Sequence, residues 1–268
     1  MLISALTIAG FDGSGGAGLQ ADLKTFSALG CYGMSVLTAL PIQNTCGVRN
    51  CFNLSLAAIE EQLEAIFSDI TPNVIKIGML FNQDIVQLIA EFLAKHAQKI
   101  LIVLDPVMVA KSGDYLLLPE AIDTLKQELI PQVTLITPNI NEAQALSNMK
   151  IKTPDDMLKS AEVIHKLGNV NVLLKGGHLD GISCDDLLFT SSAQHWFKAP
   201  RIETINTHGT GCTLSAAVAA NLAHGNDLIS SCQNAKDYLY QAMLSFKDVT
   251  IGHGHGHGPV NHFHHWWN

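Results

Sequence analysis

The stretch Asn206-Thr207-His208-Gly209-Thr210-Gly211-Cys212-Thr213 opens a small-residue segment of helical character, and its residue types suit an anion. Gly209 and Gly211 free the backbone N–H groups of residues 209 to 212 to surround negative charge, and the dipole of the following helix adds attraction. A hole of this kind serves charge developing on a transferred phosphoryl group. The plain alternative is a glycine-containing helix cap over a structural thiol. Cys212 lies at the helix start, where a thiol's acidity increases, so a depressed thiol pKa is expected.

A second glycine cluster, Gly10-Phe11-Asp12-Gly13-Ser14-Gly15-Gly16-Ala17-Gly18, separates an apolar run from a helical segment. Its glycines let the backbone approach a ligand and present N–H groups at a helix start. Gly13, Gly15 and Gly18 match GxGxxG, but no acidic residue ends a second strand ~20 residues later, as a dinucleotide site requires. The Gly-Lys-Ser/Thr ending of a P-loop is also missing.

Polar residues ending apolar runs form the third group. Asp105 follows Ile100 to Leu104, Asn139 and Glu142 follow Val133 to Ile136, and Lys175 closes Val172 to Leu174. Carboxylates and an amide hold magnesium, often through water, and a lysine neutralises phosphate oxygens. Each alone reads as a helix cap or surface charge; their shared position at strand ends favours a site.

The elements that must position these groups alternate between short apolar runs and helical segments. Strands are expected at Ile3 to Ala9, Gly33 to Leu40, Val74 to Ile77, Ile100 to Leu104, Val133 to Ile136 and Val172 to Leu174. Helices are expected at Gly18 to Leu29, Leu54 to Phe67, Gln83 to Ala97, Gly211 to Leu222 and Ala235 to Phe246. Unbroken apolar strands between helices predict a parallel sheet covered on both faces, with ligands at the carboxyl ends of its strands. The one hairpin signal falls late, at Asp185 to Phe189 and Gln194 to Lys198, an antiparallel pair expected at a sheet edge.

No linker or composition break divides the 268 residues, so a single domain over 1–268 is expected, ending in a Gly/His-rich tail at 252–268. A net charge of −8 argues against a general nucleic-acid binder, which needs a basic stripe. No apolar run approaches the ~20 residues of a membrane span, and no basic N-terminal region precedes an apolar one as in a signal peptide. The six scattered cysteines form no CxxC pair; with the other signals they lead to an expected cytoplasmic location and free thiols.

Gly209-Thr210-Gly211 before a small-residue helix, with Asn139 and Glu142 upstream, resembles the ribokinase-like kinases. Ala5 to Gly10, Ser14 to Asp22, Gln43-Asn44-Thr45, Asp105-Pro106-Val107-Met108, Lys111-Ser112-Gly113, Lys175-Gly176-Gly177-His178 and Thr207 to Thr213 resemble more closely the hydroxymethylpyrimidine/phosphomethylpyrimidine kinases of thiamine biosynthesis. The similarity runs over essentially the whole chain.

The resemblance implies a ribokinase-like three-layer α/β/α sandwich with a central, mainly parallel sheet, and a homodimer. It implies transfer of the γ-phosphoryl of ATP, with Mg2+, to 4-amino-5-hydroxymethyl-2-methylpyrimidine and then to its monophosphate. Carried onto matching positions, it makes Gln43 the pyrimidine-reading residue, a role suited to a primary amide that offers donor and acceptor side by side. Gly10, Ala17 and Asp22 match positions near the substrate, and Met79 and Val107 match apolar positions that sandwich the ring.

Thr207, Gly209, Thr210, Gly211 and Lys175 then serve the nucleotide, Asp105, Asn139 and Glu142 the metal, and Lys175 and Cys212 the chemistry. Cys212 stands where many sugar kinases of the class have an aspartate base. A pyridoxal kinase and a non-catalytic pyrimidine sensor are the competing readings. The tail's alternating Gly-His pattern matches no helical zinc motif, and its purpose does not follow from the sequence.

Overall fold

The computed structural model describes residues 2–109, 116–177 and 183–267. Lys111-Ser112-Gly113 and His178 of the quoted motifs lie outside them. The frame is set by strands β1 (Ser4–Ala9), β2 (Tyr32–Leu37), β5 (Val74–Ile77), β6 (Leu101–Leu104), β7 (Leu135–Ile136) and β8 (Asn171–Leu174). All of these run parallel, in the order β2-β1-β5-β6-β7-β8. Strands β9 (Asp186–Phe189) and β10 (Gln194–Phe197) continue the sheet antiparallel, with β10 at its edge.

Alternate side chains of each strand enter opposite layers, as the two-residue period of a pleated strand requires. Leu6, Ile8, Ile75, Ile77, Ile102, Leu104, Val172 and Leu174 join one core. Ala5, Val74, Val103, Leu135 and Leu173 join the other. The first core is closed by helices α2 (Leu56–Phe67), α3 (Gln83–His96), α5 (Ile140–Ser147) and α6 (Pro154–His165), with the short α4 (Ala121–Thr124) beside α3. The second is closed by α1 (Gly18–Ala28), α7 (Thr210–Ala223) and α8 (Leu228–Ser245). Two helical layers over one sheet make the expected three-layer sandwich.

Helix α7 is the chain's small-residue helix. Ala216, Ala217, Ala219 and Ala220 are fully buried, and the helix touches α1, α8 and strands β1, β5 and β6. Short side chains on every face let it lie close to the sheet with its N-terminus at the strand ends.

Four expectations are corrected. Gly33 to Leu40 is not one strand: β2 stops at Leu37, and Thr38 turns the chain by donating its hydroxyl to the Met79 carbonyl at 2.6 Å. From there β3 (Ala39–Asn44) and β4 (Gly47–Asn53) form a separate antiparallel hairpin, so the late pair is not the only one. Val133 is not in β7, because a turn of 3-10 helix at Ile130–Gln132 precedes it and Val133 donates back to Ile130. Helix α8 begins well before Ala235, capped by the Asp227 carboxylate on the Ser230 N–H.

Candidate active site

The carboxyl ends of the parallel strands β1, β5, β6 and β8 open on one cleft of about 1010 Å³. Gly10 follows β1, Met79 follows β5, Asp105 and Val107 follow β6, Asn139 and Glu142 follow β7, and Lys175 follows β8; all line the cleft. The start of α7, with Thr207, Gly209, Thr210, Gly211 and Cys212, forms another wall, and Ala17 and Gln43 complete this side. The structure thus brings together every sequence-derived candidate except Asp22.

Asp22 is wholly buried behind the wall. Its Oδ2 accepts from Lys76 Nζ at 2.8 Å and from the Thr7 hydroxyl at 2.6 Å, while Oδ1 is buried without a hydrogen-bond partner. The residue that does line the cleft there is Lys76, from the middle of β5. Burial favours a neutral amine, but Asp22 and the nearby Cys212 and Asp105 outweigh it, and the Lys76 pKa is raised. The expected substrate contact from Asp22 is therefore corrected to support of the cleft wall through Lys76.

The charged centre is the Lys175–Asp105 pair, Nζ to Oδ1 at 2.9 Å. Asp105 also accepts from Thr137 Oγ1 and, at Oδ2, from Ser215 Oγ in α7, each at 3.4 Å. Gly211 lies against the pair: a Cβ there would fall 3.3 Å from Asp105 Oδ2 and 3.4 Å from Lys175 Nζ. Burial opposes the charge on Lys175, but Asp105 and Glu142 more than offset it and its pKa rises.

Asn139 and Glu142 form a capping box at the start of α5. The Asn139 amide oxygen accepts from the Glu142 N–H at 3.0 Å, and the Glu142 carboxylate accepts from the Asn139 N–H at 2.7 Å. Burial pushes the Glu142 carboxyl above its ordinary range, with Asp105 adding to this and Lys175 opposing it. The helix-cap alternative is thus realised, yet both residues still face the cleft. No cluster of three or more His, Cys, Asp or Glu side chains poised for a metal occurs among the described residues.

The expected acidity of Cys212 is overturned. Burial pushes the thiol up to about 11, and Asp22 and Asp105 add to this, while Lys76 and the Gly18 N–H pull the other way. A helix N-terminus lowers a thiol pKa where solvent or cations dominate; here desolvation of the thiolate is the larger effect.

The hairpin absent from the sequence reading positions Gln43. A register shift falls between Ile42 and Gln43, a bulge of the kind that re-aims a side chain. Gln43 Nε2 donates to the Phe11 carbonyl at 3.2 Å. Beside it, Gly10 packs on Met79: a Cβ at Gly10 would fall 2.8 Å from the Met79 sulfur.

The first glycine loop does not present its N–H groups to the cleft as expected. The Asp12 carboxylate, fully buried, accepts from the N–H groups of Ser14 (3.0 Å), Gly16 (3.0 Å) and Ala17 (2.7 Å) and from the Ser14 hydroxyl. His208 Nε2, next to the second loop's glycines, approaches Asp12 Oδ2 at 2.8 Å. Burial raises the Asp12 pKa, but the contacts with His208, Ser14 and Ala17 win and hold it at about 2. Asp12, His208 and Lys76 are site-building residues that the sequence reading passed over. Signals for them existed: an acid inside a glycine loop, and a lysine within an otherwise apolar strand.

A parallel sheet whose strand ends carry a lysine–carboxylate pair, facing the glycine-rich start of a small-residue helix, has the architecture of the ribokinase-like small-molecule kinases. Within that class, the model of the phosphomethylpyrimidine kinase family matches residues 12–261, and the chain belongs to that family. It is 50% identical over 266 residues to the hydroxymethylpyrimidine/phosphomethylpyrimidine kinase of Salmonella typhimurium, covering 99% of both chains. The crystal structure of phosphomethylpyrimidine kinase from Clostridium difficile is 46% identical with a TM-score of 0.80, over 90% of this chain and 99% of that one. An ADP complex of Bacillus subtilis pyridoxal kinase is 38% identical with a TM-score of 0.90, over 100% of both chains.

Proposed function

We propose that this chain transfers the γ-phosphoryl group of ATP to the hydroxymethyl oxygen of 4-amino-5-hydroxymethyl-2-methylpyrimidine. It then phosphorylates the monophosphate again, giving the pyrophosphate used in thiamine biosynthesis. The observation that carries this reading is the meeting, in one cleft, of the Gln43 amide with Lys175, Cys212 and the open start of α7. Family membership and the name of the half-identical relative support it.

Gln43 is assigned to the pyrimidine edge, where its free carbonyl oxygen suits the exocyclic amine. Met79 and Val107 take the ring faces, and Gly10 and Ala17 leave room for close approach. In the first turn of α7 the Thr210 N–H donates to the Thr207 carbonyl and the Thr213 N–H to the Gly209 carbonyl, which leaves the N–H groups of Gly211 and Cys212 for the γ-phosphoryl oxygens beside Thr207, Gly209 and Thr210. Lys175 neutralises charge on the same oxygens. A loose transition state makes this positioning and charge stabilisation the larger part of catalysis.

Asp105, Asn139 and Glu142 supply oxygen atoms only, a donor set that fits Mg2+ held largely through water and phosphate. When bound, the ion neutralises the β- and γ-phosphate oxygens. Cys212 is assigned as acceptor of the hydroxyl proton, from its thiolate form.

The finer expectations rest on several supports. No helix among the described residues is long and apolar enough to cross a membrane, and all six cysteines are unpaired, which fits a cytoplasmic location. Exposed Tyr32 on the edge strand and Ile42 and Phe52 on the hairpin offer an apolar face for a second copy in a homodimer. The net charge of −8 goes with a small-molecule substrate and no nucleic-acid partner.

A phosphoryl-transfer assay with ATP and Mg2+ tests the reading, with hydroxymethylpyrimidine, its monophosphate and pyridoxal in parallel. Turnover of the first two well above the third is expected. Preference for pyridoxal would assign the chain to the activity named for its Bacillus subtilis structural neighbour. Tight pyrimidine binding without transfer would leave a sensor.

A further inference from the structure

The tail whose purpose the sequence left open runs through the site. A Cβ at Gly256 would fall 2.0 Å from the Thr45 carbonyl oxygen, and the His257 N–H donates to that same oxygen at 3.0 Å. Thr45 is the tip of the β3–β4 hairpin, two residues after Gln43. His257 Nδ1 meets the Ile205 carbonyl at 3.2 Å, and the His257 side chain borders the cleft.

One residue further, the Gly258 carbonyl accepts from the His208 N–H at 3.0 Å, and a Cβ at Gly258 would fall 2.0 Å from Asn206 Oδ1. Beyond this the chain is anchored. The Asn261 N–H donates to Ala242 in α8, His262 Nε2 bonds the Thr213 hydroxyl in α7 at 3.1 Å, and the Tyr238 hydroxyl donates to the His262 carbonyl. Burial drives the His262 imidazole well below its ordinary range, to about 3, so it is neutral and fits a buried anchor.

We infer that residues 256–262 are a positioning strap of the active site, tying the hairpin that carries Gln43 to the loop that carries the anion-binding glycines. The two contacts fall on adjacent residues of one anchored segment, so the hairpin and the loop are held at a set separation. At Gly256 the neighbour is the Thr45 backbone, and at Gly258 it is the buried Asn206 side chain, whose Nδ2 is held by the Phe246 and Val249 carbonyls; neither position has room for a side chain. The inference deepens the proposed function, since the strap would set the distance between the acceptor ring and the transferred phosphoryl group.

The test compares Gly256→Ala and Gly258→Ala in the full chain with Gly254→Ala, where the nearest atom to an added Cβ is the Ile251 carbonyl oxygen at an ordinary 3.4 Å. Amide hydrogen exchange and steady-state kinetics with ATP and hydroxymethylpyrimidine are read together. For Gly256→Ala, exchange at residues 44–47 accelerates about tenfold with β1 and β5 unchanged, and KM for the pyrimidine rises about tenfold with a smaller loss of kcat. For Gly258→Ala, exchange accelerates at 205–209 and kcat falls about tenfold with the pyrimidine KM nearly constant.

Gly254→Ala stays within about twofold of the unaltered chain in every readout. Unchanged exchange at both places, or protection lost evenly across the sheet, overturns the strap. If either alanine variant fails to fold, His257→Ala decides, since it removes the Ile205 contact and leaves the backbone intact. Faster exchange at 205–209 supports the strap, and unchanged exchange there overturns it. The exchange readout needs no turnover, so an inactive unaltered chain would sink the proposed function without touching this inference.

Discussion

The two glycine loops look alike in the sequence, each running directly into a helix, yet they do opposite things. In the Gly10–Gly18 loop the backbone N–H groups of Ser14, Gly16 and Ala17 are consumed by the Asp12 carboxylate. In the Asn206–Gly211 loop no acid takes up the backbone N–H groups, and those of Gly211 and Cys212 have no carbonyl partner four residues back at this wall of the cleft. A glycine loop before a helix binds an external anion only when the chain has not supplied its own. The closed loop serves the open one as a platform. His208 reaches across to Asp12, and Gly209, at φ +78, lies so near Gly16 that a Cβ would fall 1.7 Å from its carbonyl oxygen.

The sharpest way to break this arrangement is Gly209→Ala. The substitution meets both a left-handed backbone and a direct clash with the other loop, so the start of α7 cannot keep its shape. Turnover is expected to fall by at least ~100-fold, with nucleotide and pyrimidine titrations showing the larger loss on the nucleotide side. A variant within a few-fold of the unaltered chain would mean that the loops are not locked together.

The next test concerns the open loop's thiol. With the Cys212 pKa at about 11, the thiolate is a small minority near neutrality and its share rises tenfold per pH unit below that value. Turnover should therefore climb between about pH 6.5 and 9. Cys212→Ala should lower turnover by at least about tenfold while leaving nucleotide affinity nearly constant, and its pH profile should be flat. A flat profile in the unaltered chain would leave the thiol as a neutral contact rather than a proton acceptor.

The smallest effect belongs to the closed loop's own acid. Asp12 is held at about 2 against an ordinary 3.8, so its folded-state pKa is depressed. The resulting stability is present in full above the unfolded pKa and is lost as pH falls from about 4 towards 2. The shift corresponds to about 2 kcal/mol. Denaturant titrations of Asp12→Asn should show a deficit of that order at neutral pH, narrowing as the medium is acidified below about pH 4. A deficit independent of pH would show that packing of the loop, and not the charge on Asp12, holds it closed.

The sheet was legible because its signal is simple. Val74 to Ile77 is read without error, since a short apolar run buried on both faces has one reading once helices flank it. The β3–β4 hairpin was not legible for the opposite reason. Its strands are half exposed, its inner residues include Pro41 and Gln43, and its turn at Thr45–Cys46 carries no Asn-Gly pair. Missing it hid the bulge that turns Gln43 towards the cleft.

Lys175 and Asp105 stood out at strand ends, and the structure pairs them. The acidity of Cys212 could not be judged locally, because desolvation depends on what packs around the thiol from β1, β5 and α1. Asp22 reads from sequence as a polar helix residue near the glycines; only the fold reveals that Lys76 lies between it and the cleft. The Asp12–His208 contact joins residues 196 positions apart, a relation that no local pattern encodes.

That separation has a consequence in time. A chain emerging from the ribosome exposes Asp12 and Gln43 long before His208, and His208 before the Gly258 carbonyl that holds its backbone. The parallel strands β1, β2 and β5 can pair early, because their partners lie close by in the sequence. The catalytic cleft must wait for residues 256–262. A nascent chain stalled before that point would be mostly folded but without its closing contacts, so competence for phosphoryl transfer would arrive late and abruptly, once residues 256–262 are released.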